Sequence, residues 1–246
     1  MQERMLSTKS NELTFVREMF NNIAAHYDFL NRLLSLRRDV VWRRTLVDAL
    51  VLDGAPLLLD VACGTGDVAL EMACRLDAGG QVVAVDFAPE MLRRAKPKVQ
   101  VKRCGAAIQL AAADAFDLPF GPRQFDAVTI AFGIRNIQDK AAVLERFHHH
   151  LKPGGRLAIL ELGMPSQGVL GALFRTYFSR LLPLVGRFFS KHGFAYSYLP
   201  HSVAHFPPAG TFCALMRRAG FENVRHRPLT LGIAVLFVGD KPTAGN

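Results

Sequence analysis

The chain of 246 residues is half hydrophobic and 21% charged, which excludes a disordered protein and leaves length enough for a sizeable core. Thirty Lys and Arg against 21 Asp and Glu give a formal charge of +9, compatible with an anionic partner or with general solubility. No basic run interleaved with aromatics points to nucleic acid, and no apolar run reaches the roughly 18 to 20 residues that span a bilayer.

Residues 1–13 are polar and mixed in charge and read as a flexible leader, with 14–246 as a single domain. In 14–50, Phe15, Met19 and Ile23, then Leu30, Leu33, Leu34 and Leu36, recur at helical spacing and predict N-terminal helices. A strand over 57–62 follows, then a helix from Asp67 to Leu76 and a strand over 81–85 that ends in Asp86. Ala88-Pro89-Glu90 opens a helix with proline near its first turn. A short strand near 107–111 precedes Asp114, and a strand over 126–131 precedes a helix over 139–151. Lys152-Pro153-Gly154-Gly155 is a turn by composition, before a strand over 156–161. Segment 165–209 breaks the rhythm: it is apolar but interrupted by Arg175, Arg180, Arg187 and Lys191, which excludes a transmembrane helix. It reads as a helical lid or interfacial insertion, or as an insertion packed on the core. A helix over 210–219 and strands near 222–227 and 233–238 close the chain, the last pair as an antiparallel edge.

Strand–helix alternation of this kind predicts an α/β fold, a Rossmann-like parallel sheet with helices on both faces and ligands at the carboxyl ends of its strands. Asp60, Asp86, Asp114 and the Ala131–Asn136 segment all fall at such ends. The strand Leu57 to Ala62 runs into Cys63-Gly64-Thr65-Gly66-Asp67, and Asp86 lies twenty residues beyond Gly66. That spacing places an acid on ribose hydroxyls in nucleoside-binding α/β folds. The full G-x-G-x-x-G is missing, and acids flank the glycines. They would repel a pyrophosphate and suit a nucleoside that carries a cation, such as S-adenosylmethionine. The turn therefore predicts a class I S-adenosylmethionine-dependent methyltransferase fold rather than a dehydrogenase.

Gly64 and Gly66 would let the backbone approach that ligand, or would serve a tight turn alone. Asp86 would take the ribose, or cap the following helix. Asp114, with Ala115 beside it, would receive the adenine, or form an Asx-turn. Asp60 and Asp67 would lie nearest the cation, and Asp67 could equally cap its helix. Arg135, with Asn136, could hold an oxyanion through its planar guanidinium, or form a surface ion pair. His148, His149 and His150 are helical neighbours that point different ways, and His201 and His205 lack further ligands, so no metal is expected. Cys63, Cys74, Cys104 and Cys213 include no C-x-x-C pair. With no signal peptide, reduced cytoplasmic thiols are expected.

Several segments together resemble the ubiquinone/menaquinone-biosynthesis C-methyltransferases. They are Phe20 to Asp28, Asn31-Arg32-Leu33-Leu34-Ser35, Trp42-Arg43-Arg44, Phe132-Gly133-Ile134-Arg135-Asn136, Leu151 to Gly155, and Tyr196, Leu199, Pro200, Ser202, Phe206 and Pro207. The likeness runs from about residue 14 to about residue 240. It implies methyl transfer from S-adenosyl-L-methionine to a ring carbon of a polyprenylated quinol. Cofactor roles then fall on Thr65, Asp86, Asp114 and Ala115. Ala131 stands where the family often has Ser, so a hydroxyl contact is lost there. Asp39 stands where His is usual, and Gly163 where Ser is.

The resemblance also places Tyr27 in the substrate pocket. Arg135 would stabilise the quinol oxyanion, Asn136 would orient it, and Asp67 is a candidate for a base acting through water. The stretch Asp28 to Leu36 is similar to bacterial menaquinone enzymes and favours demethylmenaquinol. The alternatives are the ubiquinol precursor, 2-methoxy-6-polyprenyl-1,4-benzoquinol, and a soluble small molecule. A non-enzymatic scaffold and, on charge alone, an RNA methyltransferase are further rivals. The prenyl tail would need an apolar channel walled by 169–195 and the N-terminal helices. A cytoplasmic protein in peripheral contact with the inner face of the membrane follows, with no nucleic-acid partner and with homo-oligomerisation left open.

Overall fold

A computed structural model describes residues 14–50, 52–77, 79–101, 104–165 and 194–243, the last from its backbone alone over 194–197. The leader 1–13 and most of the insertion predicted over 165–209, its arginines included, lie outside these residues. Seven strands form one sheet: β1 (Leu57–Val61), β2 (Gln81–Asp86), β3 (Ala107–Ala112), β4 (Phe125–Ala131), β5 (Leu151–Leu162), β6 (Glu222–Leu229) and β7 (Ala234–Asp240). Their order is β3-β2-β1-β4-β5-β7-β6. The first five pair in parallel, while β7 runs antiparallel to both β5 and β6. The order reverses between β1 and β4, so the crevice for a ligand opens at their carboxyl ends.

Residues 14–23 form α1, followed by α2 (Tyr27–Leu34), α3 (Arg38–Asp48), α4 (Asp67–Ala73), α5 (Pro89–Val101), α6 (Lys140–His150), α7 (Phe194–Ala204) and α8 (Ala209–Arg218). The central strands β1, β2 and β4 are mostly apolar and buried because both faces of the sheet are covered there. Leu58, Val82, Ala127 and Ala158 pack with Trp42 and Leu46 of α3 and Met72 of α4. Leu59, Val83, Val128 and Ile159 pack instead with Phe147 of α6 and Phe212 of α8. The period-two alternation of a strand sends neighbouring leucines to opposite cores. Leu59 is fully buried, so Leu59→Ala should cost about 2–5 kcal/mol.

Two expectations are modified. Lys152-Pro153-Gly154-Gly155 is no free turn but a bulge within β5: Phe125 pairs Leu151 and Ala127 pairs Arg156, so four residues face Asp126 alone. A Cβ on Gly155 would lie 2.8 Å from the Lys152 carbonyl oxygen, which explains the glycine. The expectation of reduced thiols is corrected by a disulfide between Cys74 and Cys104. Cys74 closes α4 and Cys104 precedes β3, and the Ala106 N–H bonds the Ala73 carbonyl at 3.2 Å, so the topology brings together cysteines 30 residues apart. The three adjacent histidines diverge: His150 is buried with Nδ1 3.1 Å from the Gly121 carbonyl oxygen, while His148 meets the Phe221 ring edge-on. Among the described residues no helix is long and apolar enough to cross a membrane.

Candidate active site

The rim of the sheet is shaped by backbone turns that side chains rarely tolerate. Ala62 (φ 51°) follows β1, Gly64 (φ 56°) and Gly66 (φ 82°) form the turn into α4, and Phe132 (φ 58°) follows β4. Left-handed backbone at Ala62 and Phe132 costs about 1–2 kcal/mol each, and such cost persists where surrounding structure enforces it. A Cβ on Gly133 would lie 2.8 Å from the Ala62 Cβ, so the two central strand ends meet too closely for any other residue there.

Asp86 holds the glycine turn in shape. Its Oδ2 accepts the Gly64 N–H at 2.7 Å, and its Oδ1 accepts the Ala88 N–H at 2.8 Å as α5 begins. Brace and helix cap are thus one carboxylate. Burial pushes its pKa up to about 6 against those two bonds. Asp60, one strand inward, is more isolated. Its Oδ1 accepts the Thr129 hydroxyl at 2.8 Å, while Oδ2 is buried without a hydrogen-bond partner. Burial raises this carboxyl to about 7. A buried carboxylate oxygen left unpaired is costly, and a cation delivered beside it would relieve that cost.

A cavity of about 1060 Å³, open mouth included, lies above these strand ends. Gly64, Asp86, Asp114, Ala115 and Ala131 line it, as do Tyr27 and Asn136. Asp114 also makes the Asx-turn, its Oδ1 accepting the Phe116 N–H at 2.8 Å. A smaller polar annex opens off it, walled by Tyr27, Arg43, Asp60, Thr65 and Asp67. Tyr27, Ala62, Gly64 and Ala131 border both spaces. Burial raises the Tyr27 hydroxyl above its usual range, opposed by the charges of Arg43 and Arg135.

Around the annex runs a charge network that ties α2 and α3 to the glycine turn. The Thr65 hydroxyl donates to Asp28 Oδ1, and Lys98 Nζ donates to Asp28 (2.9 Å), to Thr65 (3.2 Å) and to Asp67. Arg43 pairs with Asp39 and lies 3.7 Å from Asp67, which Arg32 also approaches at 3.5 Å. Burial alone would raise the Asp67 carboxyl, but Arg43, Lys98 and Arg32 together hold it below its usual value. Asp67 is therefore a poor proton acceptor. Gly66 is absent from both cavity walls. It caps α4, with its Cα face against Ala95: a Cβ would sit 3.3 Å from the Ala95 Cβ.

The Arg135–Asn136 pair divides. Both sit on a 3-10 turn, Ile134–Asn136, directly after β4. Asn136 lines the large cavity, and its Oδ1 is buried without a partner. Arg135 stands behind the wall. Its Nη1 donates to Glu161 Oε1 (2.9 Å) and to the Phe132 carbonyl, and its backbone N–H donates to Glu161 Oε2 (3.0 Å). Glu161 is fully buried at the end of β5. The pair is a buried one rather than a surface one, and it fixes the turn that carries Asn136. Sequence reading overlooked Glu161, although a charge closing an apolar strand was its signal. It also overlooked Arg43 and Lys98, which carry no such mark.

A mixed seven-stranded sheet in this order with β7 antiparallel, a glycine turn after β1 and an acid closing β2 define a class I methyltransferase fold. The phosphoethanolamine N-methyltransferase 2 of Haemonchus contortus, solved in complex with S-adenosyl-L-methionine, shares that fold. Its TM-score is 0.59 at 19% identity, over 88% of this chain and 60% of that one. The sequence profile of the ubiE/COQ5 methyltransferase family matches residues 5–241. The chain is 46% identical over 226 residues to the ubiquinone/menaquinone biosynthesis C-methyltransferase UbiE of Geobacter sp. strain M21, covering 92% of this chain and 96% of the relative. It is 47% identical over 225 residues to the demethylmenaquinone methyltransferase of Thermus thermophilus, covering 91% of this chain and all of that one. The chain belongs to the ubiE/COQ5 methyltransferase family and is an S-adenosyl-L-methionine-dependent methyltransferase. The buried, unpartnered Asp60 oxygen and the glycine turn braced by Asp86 fit that cationic donor.

Proposed function

We propose that the enzyme methylates a ring carbon of a polyprenylated quinol, and that the quinol is demethylmenaquinol, which the resemblance to the Thermus thermophilus enzyme supports. The observation that carries the reading is the chemistry of the large cavity. Its walls are mostly apolar, while the Tyr27 ring and the unpartnered Asn136 Oδ1 meet it beside the glycine turn. A flat, redox-active ring with two hydroxyls suits such a site.

Bound, the donor supplies an electrophilic methyl on a sulfonium. On the donor side, Asp86 would hold the ribose hydroxyls, Asp114 with Ala115 the adenine, and Asp60 the ammonium. Gly64 would let the turn lie close to the donor, Gly66 would shape that turn from outside the cavity as the cap of α4, and Ala131 would pack against the donor. The Thr65 hydroxyl is committed to Asp28 and Lys98, which leaves its backbone to face the ligand. On the acceptor side, Asn136 Oδ1 would accept the quinol hydroxyl beside the methylated carbon and raise electron density in the ring. Tyr27, kept neutral by burial, would donate a hydrogen bond to a substrate oxygen. Arg135 would act through position: it holds the Asn136 turn, and its charge favours a developing phenolate from behind the wall. Apolar walls would exclude water and so sharpen these contacts.

The prenyl tail implies a substrate dissolved in lipid. Exposed Phe29, Leu33 and Leu36 on and after α2, beside exposed Arg37 and Arg38, favour peripheral contact with an anionic membrane. Flotation with anionic vesicles at low salt should carry the protein upward; sedimentation regardless of lipid would remove that part. The substrate is tested by initial rates on demethylmenaquinol, on 2-methoxy-6-polyprenyl-1,4-benzoquinol and on a tail-less naphthoquinol. The expected order is that order. A preference for the tail-less quinol would overturn the reading.

A further inference from the structure

Two exposed leucines stand on backbone that neither packing nor local preference accounts for. Leu231, 71% exposed, tips the hairpin between β6 and β7, where Thr230 (φ 44°), Leu231 (φ 60°) and Gly232 (φ 92°) are left-handed in succession. Leu36, 83% exposed, joins α2 to α3 with φ 51°, and Arg37 follows at 62°. A bulky or β-branched residue in that region is an outlier that surrounding structure must enforce. At the hairpin the enforcement is visible. The Trp42 indole N–H donates to the Thr230 hydroxyl at 2.8 Å, and the Gly163 N–H donates to the Ile233 carbonyl at 3.0 Å. Gly163 also packs under the Gly232 carbonyl oxygen, where a Cβ would lie 2.8 Å away. The turn favours glycine or asparagine by conformation and a polar side chain by exposure, yet it carries leucine.

Both tips stand at the carboxyl end of the sheet, where the cavity opens. Leu162 at the end of β5 pairs Ala234 at the start of β7, so residues 230–232 and the exposed Met164 project beyond that end. The Trp42–Thr230 bond brings the first turns of α3 to the same end. The far end of α3 lies the other way, with the Ala49 carbonyl accepting Arg156 Nη1 at 3.0 Å. Between the tips, Val203 of α7 packs with Leu34 of α2 and with Leu162. The charge around both tips has one sign. Residues 29–38 hold three arginines, residues 225–239 hold two and a histidine, and neither stretch holds an Asp or Glu. Arg37, Arg38 and Arg227 are exposed. An anionic bilayer surface complements the whole set, with phosphates for the arginines and the acyl boundary for both leucines.

We propose that this end of the molecule docks on an anionic lipid surface, and that Leu231, held out by its hairpin, inserts there together with Leu36. This rests on the peripheral contact proposed above and adds a second anchor, far from α2 in sequence. One anchor leaves the protein free to pivot, whereas two fix its orientation. The cavity mouth then faces the lipid that would supply the quinol.

Flotation of the full chain at low salt, with vesicles of equal phosphatidylglycerol and phosphatidylcholine, tests this. Asparagine accepts left-handed backbone, so Leu231→Asn should melt at or above the wild-type temperature. Its vesicle affinity should fall about tenfold, the worth of taking much of one leucine side chain out of water. Leu231→Trp should gain fluorescence that brominated acyl chains quench, over a background from the buried Trp42 that they leave alone. Wild-type binding to phosphatidylcholine alone should be at least about tenfold weaker. Unchanged affinity in Leu231→Asn, or an introduced indole that stays unquenched while the protein floats, overturns the second anchor and leaves contact through α2 standing. Equal binding to phosphatidylcholine alone overturns the anionic surface as the occupant. Should Leu231→Asn fail to fold, the quenching of Leu231→Trp decides alone. A wild type that does not float removes the peripheral contact itself, and this inference with it.

Discussion

The two sides of the cavity are built differently. The donor side is a lattice of charge: Asp86 braces the glycine turn, Asp60 keeps one oxygen unpaired, and Lys98 ties α2, α4 and α5 around Thr65. The acceptor side is mostly apolar, with Tyr27, Asn136, Gln138 and Asp139 in its lining, and the Arg135–Glu161 ion pair sits behind the wall. The contrast teaches a division of labour. On the proposed assignment, a ligand that is the same for every turnover would meet preorganised charge, whereas a greasy ring would meet shape and a few hydrogen-bonding groups. The sides should therefore fail independently.

The largest effect should come from the donor side. Asp86→Ala removes both the proposed ribose contact and the brace on Gly64, and should weaken S-adenosylhomocysteine by at least about 100-fold. Binding of a quinone analogue, followed by fluorescence quenching, should change less than about threefold. A comparable loss on both sides would erase the division. Next comes Glu161→Gln, which strands Arg135 in the interior and should cost about 3–5 kcal/mol of stability by urea denaturation. Donor affinity of the folded fraction should stay near wild type. Asn136→Ala should lower kcat/KM for the quinol about 10- to 100-fold with donor affinity unchanged. An effect confined to the donor would reassign Asn136.

The smallest effect is one of pH. Burial holds Asp60 at about 7 and Asp86 at about 6, above their ordinary value. A cationic donor needs the ionised form, so its affinity should rise about tenfold between about pH 6 and 8 as Asp60 loses its proton. Asp60→Asn should flatten that rise. Stability without donor runs the other way. The folded state binds these protons more tightly than the unfolded chain does. Their support is therefore full below the ordinary carboxyl pKa of 3.8 and is withdrawn as pH climbs towards 7. Melting temperatures of wild type and Asp60→Asn should diverge across that window.

Most of the sheet was legible because its strands are apolar runs that end abruptly in special residues, as Leu57-Leu58-Leu59 ends in Asp60 and the glycine turn. Asp86 was legible by spacing, although its bond to Gly64 was not. The place of Arg43 in the annex was invisible for a physical reason. Arg43 and Asp39 lie i, i+4 on α3, the spacing of an ordinary surface pair, and only tertiary packing turns that helix face inward. Arg135 read as an oxyanion holder or a surface ion pair, yet its partner Glu161 lies near the end of the neighbouring strand, whose pairing only the register shows. The Cys74–Cys104 link and the bulge at Lys152–Gly155 were hidden likewise, since both depend on contacts distant in sequence.

The most direct test of the account is a single-turnover reaction with ¹³C-methyl donor and demethylmenaquinol, read by carbon NMR of the lipid extract. One enriched methyl bonded to ring carbon is expected. Enrichment as a methoxy group, or a lipid extract without label while the donor is consumed, would contradict it.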